Sequence, residues 1–240
     1  MYSMIKKKIN IFIISSSILM CLIIPKIIKQ IRKQYIYYWF QKDSLKNDDS
    51  LPLNHLSGWG ASEKVFNETM KDWTYKMNPP IKPGNSIFEL GCGVGAALKY
   101  INDNIENLTI SGSDFSPNAI KKANQLFPES KFYCQNMKEK HDIPSNYYDH
   151  VISIGAIGMY LYKDEMLIAI KEAVRMTKPG GSLCFTHFIE KNGSFKGSIL
   201  QRIDKIYWLN KSDYLGIENI KFFTLRHQGD RYGFVCNKKK

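Results

Sequence analysis

Glu89, Gly91, Gly93 and Gly95 stand at alternate positions in Ile87-Phe88-Glu89-Leu90-Gly91-Cys92-Gly93-Val94-Gly95, just after a short apolar run. Glycine has no Cβ, so a turn built from it lets backbone approach a ligand closely. Such a turn, following a strand and opening a helix, is a common cofactor loop. Glu89 places a negative charge where a pyrophosphate would be repelled, and a cationic ligand suits the position better. A second acid, Asp114, ends the run from Leu108 to Ser113 and lies 19 residues after Gly95. That distance suits a carboxylate reaching ribose hydroxyls. Gly91-x-Gly93-x-x-Ala96 also satisfies the dinucleotide fingerprint. The loop by itself therefore leaves open a dinucleotide site and a tight turn with no ligand.

The segments that follow narrow the choice. Phe115-Ser116-Pro117-Asn118-Ala119 places a ring after the acid, then a serine N-cap with proline at the first helical position. Tyr148 to Ile154 reads as a further strand, and Ala173 to Leu183 as a helix end, a Lys178-Pro179-Gly180-Gly181 turn and another strand. In this order, over residues 86–189, the motifs resemble those of the class I, seven-stranded S-adenosylmethionine-dependent methyltransferases, in particular the type 11-like group. The resemblance implies S-adenosyl-L-methionine as cofactor, with its cationic amino and sulfonium groups near Glu89. It implies that Glu89, Gly91, Gly93 and Gly95 hold the methionine part and that Asp114 binds the ribose. Phe115 would lie against the adenine, with Asn136 and Met137 beside it, and Ile154 and Gly155 would border the sulfonium. Asn136 departs from the aspartate usual in the family, although its carbonyl can still accept a bond from the adenine amine. Tyr160 and His187 are the candidate catalytic residues and would line the acceptor pocket. The loop from Gly155 to Tyr160 lacks the Asn/Asp-Pro-Pro-Tyr sequence of families that methylate amide or exocyclic amines. The five cysteines are scattered with no metal-ligand spacing, so no metal is expected.

These residues need a scaffold to hold them. Phe66, Met70, Trp73 and Met77 mark one face of an amphipathic helix. Short apolar runs at 86–90, 108–113, 131–135, 150–155 and 182–189 alternate with helical segments near 95–103, 117–127 and 163–177. That alternation predicts an α/β fold with a doubly wound, mostly parallel sheet. Two further strands, 218–225 and 231–236, read as a C-terminal antiparallel hairpin that completes seven strands.

The amino-terminal residues are of another kind. Ile9 to Ile24 is apolar and uncharged, with lysines on both sides. This reads as a transmembrane helix, a single-pass signal anchor with the catalytic domain on the cytoplasmic side. The expected organisation is a membrane anchor with its basic and aromatic flank at 1–40, a linker at 41–57 and the catalytic domain at 58–240. The net charge of +12 belongs largely to the ends. The first 46 residues hold nine Lys/Arg against Asp43 alone, Lys238 to Lys240 add three, and about +1 is left for residues 47–237. A near-neutral domain argues against a broad nucleic-acid footprint. The expected acceptor is accordingly a small molecule or a lipid, with the membrane as partner and no nucleic acid. The alternatives are an NAD-dependent oxidoreductase, which the fingerprint would suit, and an inactive scaffold of the same fold.

Overall fold

The computed structural model describes residues 62–189, 202–225 and 231–240, together with Ile27 and Ile31. Residues 1–40 and the 41–57 linker otherwise lie outside the described residues. No helix among the described residues is long and apolar enough to cross a membrane. The amino-terminal anchor therefore rests on sequence alone.

The first helix, α1 (Glu63–Thr74), is capped by Ser62, whose side chain accepts from the Val65 N–H, and it buries Phe66, Met70 and Trp73. Then β1 (Ser86–Leu90), α2 (Ala96–Asn104), β2 (Thr109–Asp114), α3 (Pro117–Leu126), β3 (Lys131–Cys134) and β4 (Tyr148–Ser153) follow in sequence. A four-residue helix α4 (Ile157–Tyr160) leads to α5 (Lys163–Met176) and β5 (Thr177–Ile189). The remaining elements are α6 (Lys205–Leu215), β6 (Ile217–Thr224) and β7 (Arg231–Lys238). The strands form a seven-stranded sheet in the order β3-β2-β1-β4-β5-β7-β6. Every pairing from β3 to β5 is parallel, and β7 alone runs against its neighbours β5 and β6. The C-terminal pair is thus not an appendage at the edge: β7 inserts between β5 and β6. The turn expected at 227–230 lies outside the described residues.

Side chains alternate across the sheet and feed two cores. Ile87, Ile110, Ile152 and Cys184 pack with α1, α2 and α3 on one face. Phe88, Leu90, Val151, Leu183 and Phe185 pack with α5 and α6 on the other. Chain order reverses between β1 and β4, and in open α/β sheets ligands bind outside the carboxyl ends of the strands at such a point. The fourth strand ends two residues earlier than the apolar run suggested, because Gly155 turns into a left-handed conformation (φ 80°) and takes Ile154 out of the ladder.

Candidate functional site

The strand ends beside the β1/β4 reversal carry two buried acids. Glu89 on β1 is paired with Gly112 and Ile152 of the adjacent strands and is 2% exposed. The Ile154 N–H donates to its carboxylate, but Oε2 is buried with no hydrogen-bond partner among the described residues. Burial pushes its pKa well above the ordinary value, with the Asp114 charge adding to the effect. An orphaned buried carboxylate oxygen is costly unless something satisfies it, and a cationic group does so best. Asp114, at the end of β2, is 4% exposed. Its Oδ2 accepts from the Gly93 N–H at 3.0 Å and its Oδ1 from the Ser116 N–H at 2.9 Å. Burial drives it up to about 6 in spite of these donors and the Phe115 N–H.

The glycines between these acids do different work. A Cβ at Gly91 would stand 2.3 Å from Cβ of Ala156 and 3.1 Å from Cε of Met137, so this position lets the loop after β1 touch the loop after β4. A Cβ at Gly93 would meet nothing within 4 Å among the described residues. Among the described residues Gly93 therefore leaves room beside Asp114 for a ligand to approach the backbone. Gly95 (φ 86°) is the N-cap of α2. Cys92 lies between them with its thiol pushed well above the usual range, chiefly by burial, which makes it unreactive.

The expected adenine side is only partly as read. Phe115 is half-buried after Asp114. Asn136 follows β3 at the predicted place, but its Oδ1 already accepts from the Lys138 N–H at 3.0 Å, closing a tight turn. Met137 is buried and packs under Gly91. His141, not singled out in the sequence, tethers this segment: its Nε2 meets Ser113 Oγ at 2.9 Å and its N–H donates to Glu172 Oε1 at 2.7 Å. Glu172 is in turn clamped by Arg175, through Nε at 2.8 Å and Nη2 at 2.7 Å.

The remaining wall is built by β4, β5 and α4. Gly155 donates its N–H to Thr186 Oγ1 at 2.9 Å, and Thr186 Oγ1 meets His187 Nδ1 at 2.8 Å. His187 adopts a left-handed conformation (φ 70°) where the pairing of β5 with β7 slips between Phe185 and Phe188. Its ring lies edge-on to Trp73 of α1, with centroids 5.8 Å apart. A Cβ at Gly155 would sit 3.6 Å from this ring. A Cβ at Gly158 would sit 2.5 Å from the Thr186 carbonyl oxygen, so α4 rests on β5 without room for a side chain. Tyr160, at the end of α4, is half-buried close enough to oppose the burial-driven lowering of Arg231. Thus Gly155 and His187 share one wall, and Tyr160 lies near Arg231 at the start of β7. Thr186 carried no sequence signal, since the bulge brings Thr186 and His187 together, and Trp73 was legible only as a residue of the buried helix face. His150, by contrast, is structural: its ring nitrogens meet Ser182 Oγ at 2.6 Å and Asn85 Oδ1 at 3.0 Å.

Comparison with known proteins fits this geometry. Residues 87–181 match the family model described as a methyltransferase domain. An uncharacterized methyltransferase, YdaC of Bacillus subtilis, is 29% identical over 121 residues, covering 50% of this chain and 65% of its own. Probable tRNA methyltransferase 9B of Mus musculus is 33% identical over 104 residues, 42% of this chain and 21% of its own. The chain thus spans under two thirds of the length of either relative. Haemonchus contortus phosphoethanolamine N-methyltransferase 2, solved in complex with S-adenosyl-L-methionine, superposes with a TM-score of 0.60 at 14% identity, over 73% of this chain and 53% of its own. The mouse relative corrects one expectation. A small-molecule or lipid acceptor with nucleic acid excluded is not what that name points to. The exclusion rested on the near-neutral charge of residues 47–237, which argues against a broad electrostatic footprint but not against one base entering a cleft.

Proposed function

We propose that this chain is a class I S-adenosylmethionine-dependent methyltransferase and that it transfers a methyl group to a base of an RNA acceptor. The observation that carries the cofactor half is the buried Glu89 Oε2, without a hydrogen-bond partner among the described residues, beside Gly93 and the Asp114 carboxylate. These residues fit S-adenosylmethionine: Glu89 offers a charge partner for a cationic group, and Asp114 retains lone pairs for ribose hydroxyls. When bound, the cofactor supplies a methyl group already activated on a sulfonium sulfur. The chain's part is then to align the acceptor and exclude water, which the close packing of α4 on β5 and the Gly155–Thr186–His187 wall would serve. The acceptor half is supported by the mouse relative named for tRNA and by the basic ends of the chain, which suit phosphate. Incubation with methyl-labelled cofactor and unfractionated tRNA is expected to label the RNA. Tight NAD binding with no response to S-adenosylhomocysteine in calorimetry would overturn the cofactor half, and unlabelled RNA the acceptor half.

We further propose that residues 1–40 hold the protein at a membrane with the domain on the cytoplasmic side. The uncharged run from Ile9 to Ile24 between lysines supports this. Carbonate and high salt are expected to leave the full chain in the membrane pellet, because hydrophobic insertion is not screened by ions. Release by salt alone, or glycosylation at Asn67 or Asn192, would overturn it.

A further inference from the structure

The chain from Gln135 to Tyr147 joins β3 to β4 with neither helix nor strand, so its backbone polar groups must find partners elsewhere. Helix α5 supplies several. Arg175 donates through Nη1 to the Ile143 carbonyl at 2.7 Å and through Nη2 to the His141 carbonyl at 3.1 Å, while its fork grips Glu172. Glu172 Oε1 takes the His141 N–H, and Lys138 Nζ reaches Glu165 Oε1 at 2.9 Å. At the centre stands the buried His141 ring, edge-on to Phe88 of β1 with centroids 5.6 Å apart. Its Nδ1 lies 3.4 Å from Glu172 Oε1. Burial holds the ring below its ordinary pKa in spite of that carboxylate, so the imidazole is neutral. A carboxylate facing Nδ1 draws the one ring hydrogen there, which leaves Nε2 to accept from the Ser113 hydroxyl.

Ser113 is where this cluster meets the cofactor site. It precedes Asp114, and its carbonyl accepts the N–H groups of Gly91 and Cys92 at 2.7 and 2.9 Å. In the loop itself, Met137 lies against Gly91. A hydroxyl, an imidazole and a carboxylate in line resemble a nucleophile triad. Ser113, however, is sealed within the sheet at 0% exposure, where no substrate reaches it. We propose that His141 is a positioning residue for the cofactor. Pinned between Glu172 and Ser113, it fixes the loop carrying Asn136 and Met137 against the strand end carrying Asp114, and so sets how the site reads the adenine of S-adenosylmethionine. This rests on the reading of those residues as the adenosine side of the cofactor site.

The test is calorimetry of the full chain with S-adenosylhomocysteine and with S-inosylhomocysteine, which carries a carbonyl where adenine has its amino group. The parent is expected to prefer the adenosyl ligand by about tenfold, the scale of one hydrogen bond to that amino group. His141→Leu keeps the bulk and loses both ring contacts, and should cut the preference to about twofold or less. His141→Gln, whose amide can donate toward Glu172 and accept from Ser113, should keep most of it. Val174→Ala, a core truncation on α5 beside Gly216, is the control: it should lower the melting temperature and leave the preference unchanged. A parent-like preference in His141→Leu overturns the inference, as does an equal loss in Val174→Ala or a parent that binds both ligands alike. Should the leucine variant not fold, Ser113→Ala decides, since it removes only the hydroxyl; a parent-like preference there overturns the inference too. A parent that binds neither ligand would overturn the cofactor reading itself, and the inference with it.

Discussion

The turn after β1 and the bulge in β5 both shape the cleft, yet one is made of missing side chains and the other of crowded ones. After β1, Gly91 gives up a side chain so that two loops can touch, and Gly93 leaves room beside Asp114 among the described residues. In β5, Thr186 and His187 are forced to one side of a strand and locked to Gly155. Among the described residues the first region holds an orphaned carboxylate oxygen and charged groups, which a ligand would complete. The second pairs the Thr186 hydroxyl with the Gly155 N–H and His187 Nδ1 inside the protein. We read the first as the part that binds cofactor and the second as the part that orients the acceptor.

That division can be broken experimentally. The largest effect on cofactor affinity should come from Gly93→Val, which fills the room beside Asp114 and is expected to leave no measurable binding by calorimetry. Val at φ 54° also strains the backbone by about 1–2 kcal/mol, so a thermal melt should accompany the assay. Next, Asp114→Ala should weaken S-adenosylmethionine by about 1.5–3 kcal/mol, the scale of hydrogen bonds to a charged group. Parent-like binding by both variants would remove the cofactor assignment.

Acidity offers a finer probe. The folded pKa of Asp114, about 6, lies above its unfolded value. Its contribution to stability is therefore fully present below the unfolded pKa and lost as pH rises through 6. Cofactor affinity should move the other way, since the protonated acid accepts less well from ribose. It should fall by up to about tenfold per pH unit below 6. A flat affinity between pH 7 and 5 would show that Asp114 does not touch the ligand. The smallest effect is expected from the other region: His187→Gln should change cofactor affinity by less than about twofold while lowering transfer to RNA, as single-turnover measurements would read. A large loss of cofactor affinity there would merge the two regions into one.

The first region was legible in the sequence because its chemistry is local. Glu89, the glycines and Asp114 signal by type and spacing, and Ser116-Pro117 announces the next helix, as the capping of Ala119 N–H by Ser116 bears out. Parallel strands could be read from their apolar runs. The insertion of β7 between β5 and β6 could not, because strand order is set by long-range packing of residues such as Tyr232 and Phe234 against Trp208 and Phe188. Asn136 was found at its predicted position, but the turn that occupies its carbonyl depends on Lys138 backbone geometry. The second region was illegible for the same reason: a Thr-His pair in a strand pattern predicts opposite faces, and only the slipped register against β7 reverses that.

The place of β7 also bears on the order in which the molecule can be completed. It is the one strand that joins β5 to β6, and it comes after both in the chain. Until residues 231–238 arrive, the far side of β5 is an open edge with unpaired amides and carbonyls, flanked by exposed Phe185 and Phe188. Such an edge is a template for pairing with another chain. During synthesis the cofactor half of the sheet, from β3 to β4, can assemble early, while the wall carrying His187 stays unfinished until the last strand slots in. A nascent chain stalled before Arg231 would hold the glycine turn and both acids yet present a sticky ribbon, a state that cellular quality control would meet before any substrate did.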